Sequence, residues 1–442
     1  MFLSRKIFVG AVTVIFLLAN TAAGAFAAQI KKIDLEDAIQ LSLSNNLDLQ
    51  SQRIDVELAK NSVKIANRLQ NPEFNFFYNL GTAGRSEPQQ IGLRDVVELG
   101  KRSPRKKLAK SELYKKEIEV KMSEFTLEMD VRETYVDLVC AKTILNDLKE
   151  QQTVLEELSR AAQKRFESGK TSQTDVLQAQ IALNKLAAKV NIARSALQAA
   201  RNDFNKALNI KEDSDVIYDT KEDMLPGETV FIALKTPDFN TKLPEFDKIA
   251  AKALEKRLDI KAAKQEIDIA QKNLTVVSRQ KVPNLELAGG YSFLPSSHAD
   301  SGKYESGAYI GASLMNLPLL YSYKPEIKNA KLQIEQAQIK YESAKNKALK
   351  DLNTAYERLL TSQANLIFYK NKLVKDSEEL IKISKKNYQD GKADLTSVIV
   401  MEESYREILA GYDAALADYY TDWIDFLREV NAEDFNLFEE NL

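Results

Sequence analysis

The chain has 442 residues but only 15 Gly and 10 Pro, so long uninterrupted elements are expected rather than a string of turn-rich domains. Charged residues make up 29% and almost cancel, to a formal −2, which leaves no basic stripe for nucleic acid and no acidic tail. A single His, a single Cys and no glycine-rich phosphate loop exclude the usual catalytic constellations, and no catalytic residue, metal site or cofactor is assigned.

At the N-terminus, Arg5 and Lys6 precede an apolar run from Ile7 to Leu18, and small residues end in Ala25-Phe26-Ala27. This charge, apolar core and A-x-A site define a signal peptide over residues 1–27. About 12 apolar residues are too few to span a bilayer, which disfavours an uncleaved anchor. Removing Arg5 and Lys6 takes the net charge to −4. Beyond residue 28 no apolar run approaches the ~20 residues of a transmembrane helix.

Residues 28–210 form a first structural repeat. A helix of about 36 residues is predicted to end before Pro72. Two alternating segments follow, at 73–80 and 89–99. The first sets Phe74, Phe76, Tyr78 and Leu80 against Asn75 and Asn79. The second sets Ile91, Leu93, Val97 and Leu99 against Gln90, Arg94 and Glu98, with Asp95 breaking the apolar face. Alternation over nine to eleven residues is the pattern of a transmembrane β-strand, and also of a small soluble sheet capping helices.

A long helix, roughly Arg105–Ser168, then runs for about 95 Å. Its Cys140 reads as a small buried hydrophobe. The helix ends at a hairpin tip, 168–172, where Gly169 suits the left-handed stop position. Ser172 with Asp175 three residues later is a capping box that starts the next helix. From there Leu183, Leu186, Val190, Ala193, Leu197, Ala200 and Phe204 step by 3 and 4, a heptad seam.

A turn-rich connector occupies 211–245, and then the plan begins again over 246–430. Leu43, Leu47, Asp48 and Pro72 meet Leu254, Leu258, Asp259 and Pro283 at an offset of 211. Tyr135 meets Tyr356 at 221, and Gly169-Lys170 meets Gly391-Lys392 at 222. The second repeat therefore has a helix, strands at 284–294 and 308–317, a long helix, a tip at 390–394 with Asp394 as the cap, and a shorter helix. Most of the added length falls in Pro295–Gly307, whose composition is that of a loop. A tail, 431–442, closes the chain.

Four strands cannot close a barrel, and open edges in lipid leave backbone groups unsatisfied at several kcal/mol each. Strands that cross a membrane here require an oligomer: two chains give a filled eight-stranded barrel, three give twelve strands and a lumen.

The doubled plan, the stretch VELGKRSPRKKLAKSE after the first strand pair, and the turns FESGKTSQTDVLQAQ and YQDGKADLTSVIVME resemble the TolC family of outer-membrane efflux proteins. The resemblance covers nearly the whole mature chain. It implies a mainly α fold with a membrane β-barrel: a homotrimer whose twelve-stranded barrel in outer-membrane lipid continues into a long periplasmic α-helical coiled-coil barrel. The 211–245 connector and the C-terminal tail would form an equatorial belt around it. The implied function is the passive outer-membrane duct of a tripartite efflux pump, docked tip first on a periplasmic adaptor and an inner-membrane efflux transporter. Type I protein secretion shares this architecture and stands as an alternative. A soluble periplasmic coiled-coil scaffold is the other, and it leaves the recurrence of bilayer-length strands in both halves without a reason.

By the same resemblance, Asp175 matches an acid at the periplasmic entrance, with Ser397 and Val400 at the second-half positions where some members carry acids. Gly169, Lys170, Gly391 and Lys392 match the tips that contact the adaptor. VELGKR looks like members that serve metal-ion and solvent pumps. His298, with no cysteine nearby, is a poor metal ligand, so any cation specificity belongs to the pump.

Overall fold

The computed structural model describes residues 29–80, 86–211, 216–223, 240, 242–293, 306–390 and 392–431. The expected signal peptide over residues 1–27, most of the 211–245 connector, residues 432–442 of the tail, His298 and Gly391 lie outside the described residues.

Strand β1 (Gln29–Ile33) leads into helices α1 (Leu35–Asn45) and α2 (Leu47–Ala66), then strands β2 (Glu73–Leu80) and β3 (Ser86–Val97). The long helix α3 (Arg102–Glu167) and the return helix α4 (Gln173–Ala207) complete the first half. Strand β4 (Val216–Thr220) follows, then α5 (Phe246–Lys256), α6 (Leu258–Ser278), β5 (Asn284–Ser292) and β6 (Gly307–Met315). The second long helix comprises α7 (Lys324–Phe368), a π-helical turn (Tyr369–Leu373) and α8 (Val374–Gln389), and α9 (Leu395–Val430) returns.

Strands β2, β3, β5 and β6 form one antiparallel sheet in that order. Its register shows why the alternation matters. Phe74, Leu93, Gly289 and Ile310 lie in one row, and Phe76, Ile91, Tyr291 and Ala308 in a parallel row on the same face. Ile310 is 95% exposed and Phe74 65%, so an apolar surface faces outward. On the opposite face Arg94 bridges Glu73 at 2.6 Å and Glu286 at 3.5 Å.

Each upper helix is broken where the sequence predicts one continuous rod, at Asn46 and at Arg257. Asn46 is itself an N-cap, its side chain accepting from Leu49 N at 2.8 Å. The rest of the stop comes from far along the chain. Asn209, left-handed at φ 53° after α4, donates to Asn45 O at 2.6 Å. In the second half Asn431, at φ 59° after α9, accepts from Leu258 N at 3.0 Å. Both return helices thus end by capping the break in their own half's upper rod.

The long helix α3 packs against α2 above and α4 below, as α7 packs against α6 and α9. The seam residues Leu186, Val190, Ala193 and Phe204 are buried. The main core lies at mid-height, where α1 and α5 meet the long helices and the end of α9: Tyr135, Phe204, Tyr420, Trp423 and Phe426 have no exposed surface. Cys140 is buried in this core and unpaired, and burial pushes its thiol far up.

A second strand pair was not legible in the sequence: β1 lies parallel to β4, in the connector, with Gln29 opposite Val216. It is pinned to α3 by Lys142, whose ammonium reaches Asp219 at 2.5 Å and Thr220 Oγ1 at 2.8 Å.

The π-helical turn accounts for the last step of the drift in the repeat. The offset is 221 at Tyr356 and 222 at Lys392, so one residue was inserted between them. A π-helical turn is how a helix accommodates a single extra residue. The ring of Tyr369, which opens that turn, lies against Gly411 of α9, where an added Cβ would come within 2.7 Å of it.

Asp147 on α3 and Asp413 on α9 face each other across the two halves, close enough for each carboxyl to shift the other. Burial first, and then Asp147's charge, pushes Asp413 up to about 7, and Asp147 is raised as well. Because the folded value lies above the ordinary 3.8, the shared proton's contribution is complete below that pH and is lost as pH rises through 7. Asp413→Asn should therefore stabilise the protein at pH 8 by on the order of 1–2 kcal/mol, since both groups keep some access to solvent. Near pH 4 it should change nothing. Thermal melts of both proteins at the two pH values check this; an equal shift at both would remove the pair as the cause.

Candidate functional site at the hairpin tips

Each tip is built by backbone hydrogen bonds that stop one helix and a side chain that starts the next. At the first, Gly169 has φ 72°, its N–H donates to Phe166 O at 2.8 Å, and Lys170 N donates to Arg165 O at 2.8 Å. These two bonds are the Schellman pattern, which requires the left-handed residue at Gly169. At the second, Lys392 N donates to Asn387 O at 2.8 Å, the corresponding long bond.

The caps then differ in an instructive way. Ser172 and Asp175 form the full capping box: Asp175 N donates to Ser172 Oγ and Ser172 N to Asp175 Oδ2, both at 3.2 Å. In the second half Asp394 is the cap and accepts from Ser397 N at 2.9 Å and from the Ser397 hydroxyl. The same Ser and Asp pair is present, three residues apart, in inverted order. Each tip therefore holds one carboxylate at a helix N-terminus, where the macrodipole favours it.

Both carboxyls are held below the ordinary range. For Asp175 the Thr171 hydroxyl is the main cause, aided by the Ser172 amide, against burial and the charge of Asp394. For Asp394 it is the Ser397 hydroxyl and then its amide.

The two tips pack together. Ala162, Val176 and Ala179 from the first bury against Tyr388, Leu395 and Val398 from the second. The Arg165 guanidinium stacks 4.6 Å from the Tyr388 ring centre and donates to its carbonyl at 3.3 Å. Thr396 Oγ1 donates to Gln178 Oε1 at 2.8 Å.

Of the residues singled out in the sequence, Asp175 and Ser397 both lie at this end, each in its own tip's cap: Asp175 with Ser172 and Ser397 with Asp394. Val400, 51% exposed, lines a groove of about 210 Å³ between α4 and α9 with Ile181, Lys185 and Arg406. Lys170 and Lys392 are exposed at the outermost turns, Lys392 being 3.7 Å from Asp390. Sequence reasoning took Asp394 only as a cap and sought the second acid at Ser397. The inverted Ser/Asp spacing was the signal that could have found it. Among the described residues, no group of three or more His, Cys, Asp or Glu could hold a metal ion, and no helix is long and apolar enough to cross a membrane.

A tandem-repeated chain with a four-stranded sheet, apolar on its exposed face, set on helices about 100 Å long is the architecture of an outer-membrane channel subunit. The chain belongs to the outer membrane efflux protein family, whose model matches residues 38–209 and 249–425, the two halves. It is 22% identical over 299 residues to the outer membrane protein TolC of Vibrio cholerae, covering 66% of this chain; the chain spans 65% of that relative's length. A membrane protein of Pseudomonas aeruginosa shares the fold with TM-score 0.71 at 17% identity, over 92% of each chain. The Campylobacter jejuni CmeC outer membrane channel matches with TM-score 0.66 at 19% identity, over 90% of this chain and 85% of that one. The protein is thus an outer-membrane protein of the efflux channel family, with its helical portion in the periplasm; the family is one of channels rather than enzymes.

Proposed function

We propose that three copies of this chain close their sheets into one twelve-stranded barrel, continued by a periplasmic helical cylinder, and that the assembly is the passive exit duct of a tripartite efflux pump. The sheet carries this reading. Among the described residues its outer strands, β2 and β6, each pair on one side only, and unsatisfied edges in lipid cost several kcal/mol per group. Pairing β6 of one copy with β2 of the next satisfies both edges and leaves a lumen at twelve strands.

In this reading the joined tips form the periplasmic entrance. Asp175 sets its charge, with Ser397 serving the second carboxylate, Asp394, and Val400 contributing an uncharged position one turn further in. Gly169, Lys170, Gly391 and Lys392 meet the periplasmic adaptor, through which an inner-membrane transporter supplies the energy. The exposed lysines and the glycine-made turn at Gly169 support that assignment.

The test is the native mass of the detergent-extracted protein, where three chains are expected and one or two would remove the barrel. Reversing both tip charges, with Lys170→Glu and Lys392→Glu, should keep that mass and the planar-bilayer conductance. Efflux in cells should fall by roughly tenfold or more, because repulsion at a docking rim weakens engagement. Intact efflux would remove the lysines from the adaptor contact.

A further inference from the structure

The foot of the sheet carries a charge distribution that folding alone does not explain. Four helix ends meet there: α2 and α6 finish, and α3 and α7 begin. Helix starts favour acidic residues. Yet α3 has no acidic residue in its first turn and no side-chain cap bond at Lys101. The stretch Gly100–Lys110 contains six cations and no acid in a chain whose net charge is −2.

Some of those cations have structural work. Arg102 donates to Asn67 O at 2.7 Å and Arg105 to Ala66 O at 2.9 Å, and both complete the end of α2. Lys101 reaches Asn284 Oδ1, at the base of β5, at 2.7 Å. Lys106 and Lys107, by contrast, have no ion pair among the described residues, and nor do Lys281 before β5 or Lys324 at the start of α7. Around the same foot the segment between β6 and α7 is apolar, with Leu319 81% exposed and Leu320 fully so. This surface continues the apolar face of the sheet, and it lies at the helix end, hence at the periplasmic leaflet.

We infer that this collar is a lipid-binding site, in which Leu319 and Leu320 enter the periplasmic leaflet while Lys106, Lys107, Lys281 and Lys324 hold anionic phospholipid headgroups. Charge complementarity and continuity with the membrane-facing sheet both point to that occupant. Exposed apolar residues bordered by unpaired lysines at a bilayer boundary match the chemistry of such lipids, an acyl chain beneath a phosphate. The inference rests on the outer-membrane placement but not on transport.

The test titrates the detergent-extracted full chain with dioleoyl phosphatidylglycerol or dioleoyl phosphatidylcholine and follows its melting temperature. Phosphatidylglycerol should raise it clearly more. In a variant carrying Lys106→Gln, Lys107→Gln, Lys281→Gln and Lys324→Gln, that excess should fall to about the phosphatidylcholine level. Leu319→Ser with Leu320→Ser should weaken the response to both lipids while leaving the native mass unchanged. No preference in the wild type, or an undiminished one in the lysine variant, overturns the site. A loss of chains from the particle in the leucine variant also overturns it, because a second copy would then cover those residues. A protein that prefers phosphatidylglycerol but conducts nothing would sink the duct reading alone, and one that conducts without preference would sink this inference alone.

Discussion

Replacing Gly290 by valine should leave the long helices folded but separate the two hairpins of the membrane sheet. Gly290 sits on β5 directly opposite Gly92 on β3, at the one place where the two halves of the chain join within the sheet. A Cβ there would lie 2.1 Å from Ile91 O and 2.6 Å from Gly92 Cα. Those atoms are backbone, so no rotamer change relieves the overlap. The cost should exceed the ~3 kcal/mol typical of overpacking against side chains. Gly289, the next residue, is the internal control: its Cβ would meet Tyr309 O at 3.7 Å, an ordinary contact. Gly289→Ala should therefore assemble normally, whereas Gly290→Val should lose the membrane-inserted, heat-resistant form on gels and retain most of its helical circular dichroism. Equal assembly of both variants would show that β3 and β5 do not pair as described.

The second large effect is expected at Lys142. This side chain is 8% exposed and Asp219 opposite it is 6% exposed, with Arg201 as the carboxylate's other partner at 2.8 Å. Burial raises the Asp219 carboxyl, but Lys142 and then Arg201 outweigh it, and the net value is below the ordinary 3.8. A depressed carboxyl contributes stability that is present above the unfolded value and is lost as pH falls through the folded one. The clamp thus holds throughout the neutral range and fails only in acid. Lys142→Ala removes one partner of a buried pair and should cost about 3–5 kcal/mol. Because β1 is hydrogen-bonded to β4, hydrogen exchange at residues 29–33 and 216–223 should accelerate together, while the tips stay protected. Adding Asp219→Asn should recover part of the loss, since the carboxylate left without its ammonium is then neutral; recovery stays incomplete because Arg201, 18% exposed, loses the same carboxylate. Failure of the double variant to recover any stability would remove the ion pair as the origin of the effect.

These two sites also mark the limits of what the sequence discloses. The membrane strands were legible because water and lipid impose opposite demands on alternate residues. Phe74, Phe76, Ile91 and Leu93 record that demand at a period of two. The tips were legible because a helix stop and a helix start are local events, written by Gly169 and by Ser172 with Asp175. The breaks at Asn46 and Arg257 were not, since Asn209 and Asn431 supply half of each stop from more than 160 residues away. The β1 and β4 pairing escaped notice for a similar reason: five-residue strands carry almost no pattern, and their partner is chosen by tertiary packing around Lys142. In the candidate site, Asp175 stood out, whereas Asp394 was masked because the alignment of the repeats pairs it with Ser172.

The single residue inserted in the second long helix has a consequence for symmetry. Two nearly equal halves in each of three proposed subunits would give a cylinder with six similar struts. The π-helical turn at Tyr369–Leu373, seated against Gly411, makes every second strut different from its neighbour. The ring is then truly threefold and only approximately sixfold. In the proposed trimer, struts carrying the inserted turn would alternate with unbroken ones, so a load applied evenly at the rim would be taken up unevenly around it.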